Sequence, residues 1–288
     1  MTIDPGFLDE IERYARSQKR NVASQFQGEQ RSAERGEGLT FADYRRYSPG
    51  DDTRRIDWKL FARTDEFFVK EYEAERNLTV HVLLDSSASM DFAGEAGLPT
   101  KFEFAAKLGL GFAYLVGREH NDFRFVRVGE EYERLDRGRS NRGEVLGLVE
   151  TLNGMEPTGD ADFEGALESY AATIGSRSLV LIASDFLEPP DEIERGLEAL
   201  ARNKLVLARV IDPVERDLPV SGDAVVEDLE SERTVRTHLG TRRRESYRDR
   251  LDAHVDDVAA RARTLRARHE LLDTDAEFFD AFGQVWVE

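Results

Sequence analysis

One carboxylate and two hydroxyls stand at alternate positions in Asp85-Ser-Ser87-Ala-Ser89, directly after the mostly apolar run Val80-His-Val82-Leu83-Leu84. Three oxygens at that spacing suit a small hard cation such as Mg²⁺ (or Mn²⁺). Such ions prefer oxygen ligands, and Mg²⁺ keeps part of its water shell. The same residues also suit a strand-end turn in which Asp and Ser cap the following segment. A second carboxylate, Asp185, follows the apolar stretch Leu179–Ala183 through Ser184, and a third polar group, Thr158-Gly-Asp160-Ala161-Asp162, precedes Phe163. Asp162 also reads as a helix N-cap.

Other chemistries find little support. The chain has no cysteine, which excludes disulfides, thiolate catalysis and cysteine-ligated zinc. Its five histidines are scattered, without His-Glu-x-x-His spacing. Gly94 to Lys101 lacks the Gly-Lys-Ser/Thr ending of a phosphate-binding loop, and no Gly-x-Ser-x-Gly elbow occurs. ATP hydrolysis, where relevant, therefore belongs to a partner.

The elements that must hold these residues follow from periodicity. Val80 to Leu84 is short and apolar, as in a strand buried on both faces of a parallel sheet. From Asn77 onward strands and helices alternate, which predicts a parallel sheet covered by helices on both faces. Strands are expected at 123–128, paired with 132–135, then at 179–183, 204–211 and 269–272. Helices are expected at 100–118, 141–153, 163–173, 190–202, 241–268 and 277–286, with short strands at 224–228 and 234–237. Before Asn77, Phe7, Leu8, Ile11, Tyr14 and Ala15 predict a helix over 5–17. Residues 22–40 read as loop or short hairpin, Ser48–Asp51 as a turn, 56–63 as a short helix, and 67–75 as a strand leading into the central one.

The 288 residues carry a formal net charge of −18, with a pI of about 4.8. An acidic chain in which arginine far outnumbers lysine resembles proteins of a high-salt cytoplasm, and the charge argues against a general nucleic-acid binder. No run of about 18 apolar residues is present, so no membrane span is expected. No signal peptide is evident, and the cytoplasm is the default location. The first 77 residues hold 14 basic and 16 acidic side chains, whereas the remainder holds 26 and 42. That contrast predicts an N-terminal extension over 1–76 and a sheet domain over 77–288.

Two resemblances narrow the reading. The strand ends at Asp85 and Asp185, with the acidic loop between them in sequence, resemble the von Willebrand factor A domain and its metal-ion-dependent adhesion site. The resemblance implies that Ser87 and Ser89 bind the cation directly, with Asp85 and Asp185 acting mainly through water or in the outer shell. The position of the usual threonine ligand holds Ala161, leaving Thr158, Asp160 or Asp162 to supply the missing oxygen. Otherwise the site is weak or empty. Arg46-Tyr47-x-Pro-Gly-Asp51-Asp52-x-Arg54-x-Ile56-Asp57-Trp58-Lys59-x-x-Ala62-Arg63 resembles the signature of the Domain of Unknown Function 58 family, over roughly 35–285. Members are commonly encoded beside MoxR-type AAA+ ATPases. The resemblance implies a non-enzymatic adaptor that helps such an ATPase mature or remodel a client protein. Arg46, Arg54 and Arg55 are either part of a docking face or, with neighbouring acids, part of a salt-bridged network. The alternatives are a Mg²⁺-dependent phosphoester hydrolase using Asp85, and a metal-free scaffold.

Overall fold

The computed structural model describes residues 3–18, 39–48, 51, 56–74, 78–95, 97–227, 229 and 233–286. The chain divides into two compact units, residues 26–77 and residues 1–25 together with 78–288.

The larger unit is a six-stranded sheet. Its strands are β3 (Thr79–Asp85), β4 (Asp122–Val128), β5 (Tyr132–Arg134), β6 (Leu179–Ser184), β7 (Lys204–Ile211) and β10 (Arg268–Asp273). They lie in the order β10-β7-β6-β3-β4-β5, all parallel except the edge strand β5. Every residue of β3 from Val80 to Asp85 is buried, as the apolar run predicts for a strand covered on both faces.

Helix α3 (Lys101–Arg118) covers one face. Two of its glycines explain how it is buried on two sides at once. A Cβ at Gly109 would stand 2.7 Å from Val82 Cγ1 in the sheet, and one at Gly111 would stand 2.5 Å from the Phe282 ring behind the helix. Phe282 belongs to α9 (Phe278–Trp286). On the other face α5 (Phe163–Ala171), α6 (Pro190–Leu200) and α8 (Thr241–Thr264) pack a continuous core. Leu83, Val126 and Ile182 from the strands meet Phe163, Leu197 and Val258 from the helices there. Helix α4 (Arg142–Asn153) packs on α3.

Helix α1 (Phe7–Gln18) belongs to this unit rather than to an N-terminal extension. Phe7 meets Phe278 edge-on at 5.2 Å, Glu12 accepts from the Tyr114 hydroxyl at 2.9 Å, and Asn153 brackets the backbone of Ile3. The expected extension over 1–76 therefore divides. Its first helix has an apolar face that α3 and α9 bury, a long-range contact that charge counting does not register.

The smaller unit holds β1 (Leu39–Arg46), the short helix α2 (Trp58–Thr64) and β2 (Phe68–Ala74). β1 and β2 form an antiparallel pair of their own. β2, the strand expected over 67–75, thus precedes the central sheet in the chain and pairs only with β1. Asp57 caps α2 by accepting from Lys59 N and Leu60 N. The reading of 22–40 as loop or hairpin falls largely outside the described residues. A second antiparallel pair, β8 (Gly222–Glu227) with β9 (Thr234–Leu239), follows the five-residue helix α7 (Pro213–Asp217).

Candidate functional site

The order of strands reverses between β3 and β6. The chain runs from β3 outward to β4 and β5, and from β6 outward to β7 and β10. Connections leaving such a pair diverge and open a crevice at the carboxyl ends of the strands. Asp85 ends β3 and Ser184 ends β6, with Leu84 paired to Ala183.

Asp85 is 1% exposed. Its Oδ1 accepts from Ser87 N at 2.8 Å and its Oδ2 from Ser184 Oγ at 2.6 Å. Burial, and then the neighbouring charge of Asp185, push its carboxyl up to about 6, against the pull of those hydrogen bonds. Asp85 is thus joined across the two strand ends to Ser184, the residue before Asp185. Ser87 and Ser89 share a hydrogen bond of 3.0 Å between their hydroxyls at the start of a 3₁₀ turn over Ala88–Asp91. The acidic loop also arrives here, because Thr158 N donates to Ser86 O at 3.0 Å and Ala88 N to Gly159 O at 2.9 Å. The Thr158 and Asp162 side chains are exposed, however, and Asp162 is occupied as the cap of α5, accepting from Gly165 N at 2.9 Å.

The group that sequence reading missed is Lys101. Its side chain is wholly buried, and its ammonium lies 2.7 Å from Asp185 Oδ2 and 2.7 Å from Glu215 Oε1. Burial alone would lower its pKa, but the charges of Asp185 and Glu215 outweigh that and hold it above the ordinary lysine value. Glu215 is pushed up by burial, with Lys101 opposing. Lys101 is the first residue of α3, after the cap Thr100. A cation there faces the positive end of the helix dipole, so it needs compensating carboxylates. A lysine opening an otherwise mostly apolar helix was the available sequence signal.

Glu215 is positioned by α7, where Asp212 caps the helix. Asp212 is fully buried and accepts from Val214 N at 2.7 Å, Gly94 N at 3.0 Å and Thr274 Oγ1 at 3.3 Å. Gly94 has no room for a side chain, since a Cβ would stand 2.3 Å from Val214 Cβ. The loop before α3, the end of β7 and the segment after β10 are thereby tied together. Arg209 of β7, paired in register with Ser184, is fully buried, and its guanidinium makes no hydrogen bond. Burial lowers its pKa against the charges of Asp185, Glu188 and Glu215.

Outside this polar knot lies an open cleft of about 250 Å³ lined by Asp160, Ala161, Asp185, Leu187, Glu188, Pro189 and Glu192. Its rim is acidic, with Leu187 and Pro189 supplying apolar surface.

The residues suit a divalent cation poorly. Ala161 contributes no oxygen, Asp185 is held by an internal ammonium, and both oxygens of Asp85 already accept hydrogen bonds. Among the described residues no group of three His, Asp or Glu side chains forms a metal cradle.

In the smaller unit Arg46 pairs with Glu66 at 2.8 Å, and Arg45 pairs bidentately with Asp51 at 2.9 and 3.0 Å. Arg46 thus has a structural partner, while Arg54 and Arg55 lie outside the described residues.

A doubly wound, mostly parallel α/β sheet with a cluster of buried polar groups at the strand-order reversal defines the class of protein. The chain belongs to the family described as "Protein of unknown function DUF58", which it matches over residues 43–270. Uncharacterized proteins of Mycobacterium tuberculosis and Mycobacterium bovis are each 30% identical to it over 246 residues, 84% of this chain and 77% of theirs. Among solved structures, the conserved hypothetical protein BatB from Bacteroides thetaiotaomicron aligns with a TM-score of 0.47 and 14% identity, over 72% of this chain and 96% of its own. An aerotolerance-related membrane protein from Bacteroides fragilis gives 0.45 and 14%, over 73% and 98%. Among the described residues no helix is long and apolar enough to cross a membrane.

Proposed function

We propose that this protein is a non-enzymatic adaptor that binds a partner protein at the carboxyl edge of its sheet. The observation that carries the reading is the pairing of strand-end carboxylates that are engaged internally with an open acidic cleft. Asp85, Asp185 and Glu215 are engaged by Ser184, Ser87 and Lys101. A hydrolase using Asp85 as nucleophile would need that carboxylate free and a base beside it, whereas both its oxygens are hydrogen-bonded in a buried position. What faces outward is recognition surface. Glu192 and Asp160 around Leu187 and Pro189 favour a basic, partly apolar segment of the partner.

The partner we propose is a MoxR-type AAA+ ATPase, with a client protein as the third component. Support for it is the family resemblance, and the acidic cleft gives that resemblance a contact surface. The test is binding of the purified ATPase to the purified chain, by calorimetry or analytical gel filtration. A complex is expected, and Asp160→Lys with Glu192→Lys should weaken it at least tenfold. An undiminished affinity in that variant would remove the cleft from the contact.

A further inference from the structure

Lys101 leads to an inference that lies beyond the adaptor reading and does not rest on it. In an adhesion-type arrangement the positive charge between the two strand-end carboxylates comes from a metal ion taken from solution. Here the chain brings a cation of its own to one of those carboxylates, Asp185, and bridges it to Glu215. The Lys101 ammonium is 2.7 Å from Asp185 Oδ2 and 2.7 Å from Glu215 Oε1, with no solvent access. It is locked there by the α3 backbone, whose first N–H, that of Lys101, donates to Phe92 O at 3.1 Å. Phe92 also lies 5.9 Å below the ammonium.

Arg209 adds a second buried cation, set by strand register beside Ser184, the residue before Asp185. Two fixed positive charges at this edge oppose the entry of a dication, because like charges in a poorly screened interior repel strongly. The loss of an oxygen donor at Ala161 has the same consequence, since a site that supplies the charge from within has no use for that ligand.

The geometry points to a built-in ammonium replacing the divalent ion: Lys101 ties the switch point between β3 and β6 to α7, and the strand-end site takes up neither Mg²⁺ nor Mn²⁺.

Mn²⁺ is the probe that tests this, because it broadens nearby NMR signals even when bound weakly. In the full-length ¹⁵N-labelled protein, millimolar Mn²⁺ should leave the Ser87, Ser89 and Leu187 amide signals no broader than those beside exposed carboxylates. The melting temperature should be the same in Mn²⁺ and in chelator. Lys101→Met combined with Ala161→Thr removes the ammonium and restores the oxygen donor. That variant should show selective broadening at Ser87 and Ser89, and should melt higher in Mn²⁺ than in chelator. Selective broadening at those residues in the wild type, abolished by Asp85→Asn, would overturn the inference. So would a folded double variant that stays unresponsive to Mn²⁺. If the double variant does not fold, the wild-type titration decides alone. Partner binding plays no part in either readout, so failure of the adaptor reading would leave this result standing.

Discussion

Lys101 is the side chain on which the switch point depends most heavily. Removing one partner of a buried ion pair typically costs about 3–5 kcal/mol, because the charge left behind has neither water nor a counterion. Lys101→Met should therefore destabilise the protein by roughly that amount in urea denaturation. Adding Asp185→Asn should recover part of the loss, since one of the two stranded carboxylates is then neutral. Asp85 gives a prediction with a definite sign. Burial and Asp185 raise its pKa from 3.8 to about 6, so between those values the native state binds more protons than the unfolded chain. Stability then falls as pH rises through that window, by on the order of 3 kcal/mol. Asp85→Asn should abolish this decline, and its stability relative to wild type should improve up to about pH 6 and then level off. His81 and His269 act in the opposite sense. Burial holds both down to about 4, so their contribution is lost as pH falls below 6.5. The difference between Asp85→Asn and wild type isolates the carboxylate from these histidines.

At the scale of elements, α3 shows how a helix can be enclosed on two sides. Gly109→Ala gains about 1 kcal/mol of helix propensity. The new methyl would stand 2.7 Å from Val82 Cγ1 and 3.0 Å from two Phe125 ring atoms, and overpacking of that kind costs about 1–3 kcal/mol. Packing wins, and thermal denaturation should show net destabilisation. Gly147 of α4 is the control. It is exposed with nothing within 4 Å of an added Cβ, so Gly147→Ala should stabilise by about 0.5–1 kcal/mol. The same reasoning explains the strand ends: β3 and β6 stop where their side chains change from apolar to hydrogen-bonding, and each terminal polar group is taken up by its neighbour.

For the molecule as a whole, α1 decides where the sheet unit begins. Phe7, Leu8 and Ile11 are buried, each contributing about 1.5–3 kcal/mol by leaving water. Their loss would also uncover Phe278 and Phe282. Deleting residues 1–18 should lower the melting temperature steeply or prevent folding, as circular dichroism would show, whereas a dispensable extension would leave the melt of the sheet unit unchanged. The net charge of −18 falls mostly on the sheet unit. An acidic cleft at its carboxyl edge therefore lies in a field that favours basic partners.

The local pattern of the sequence was enough to determine the sheet. Val80–Leu84, Leu179–Ala183 and 204–211 are apolar runs between helical periods, and such runs have few alternatives to a parallel sheet with helices on both faces. That architecture in turn sends Asp85 and Asp185 to the same edge, so their convergence was legible too. Tertiary structure alone decided what meets them there. Lys101 is 84 residues from Asp185 and 114 from Glu215 in the chain, and no local period links positions so far apart. The strand order puts β6 beside β3 and β7 beyond β6, the cap at Asp212 orients Glu215, and only then does a lysine that opens an apolar helix find its two counterions. Periodicity is a short-range property of the chain, whereas the matching of buried charges is settled by which elements pack together.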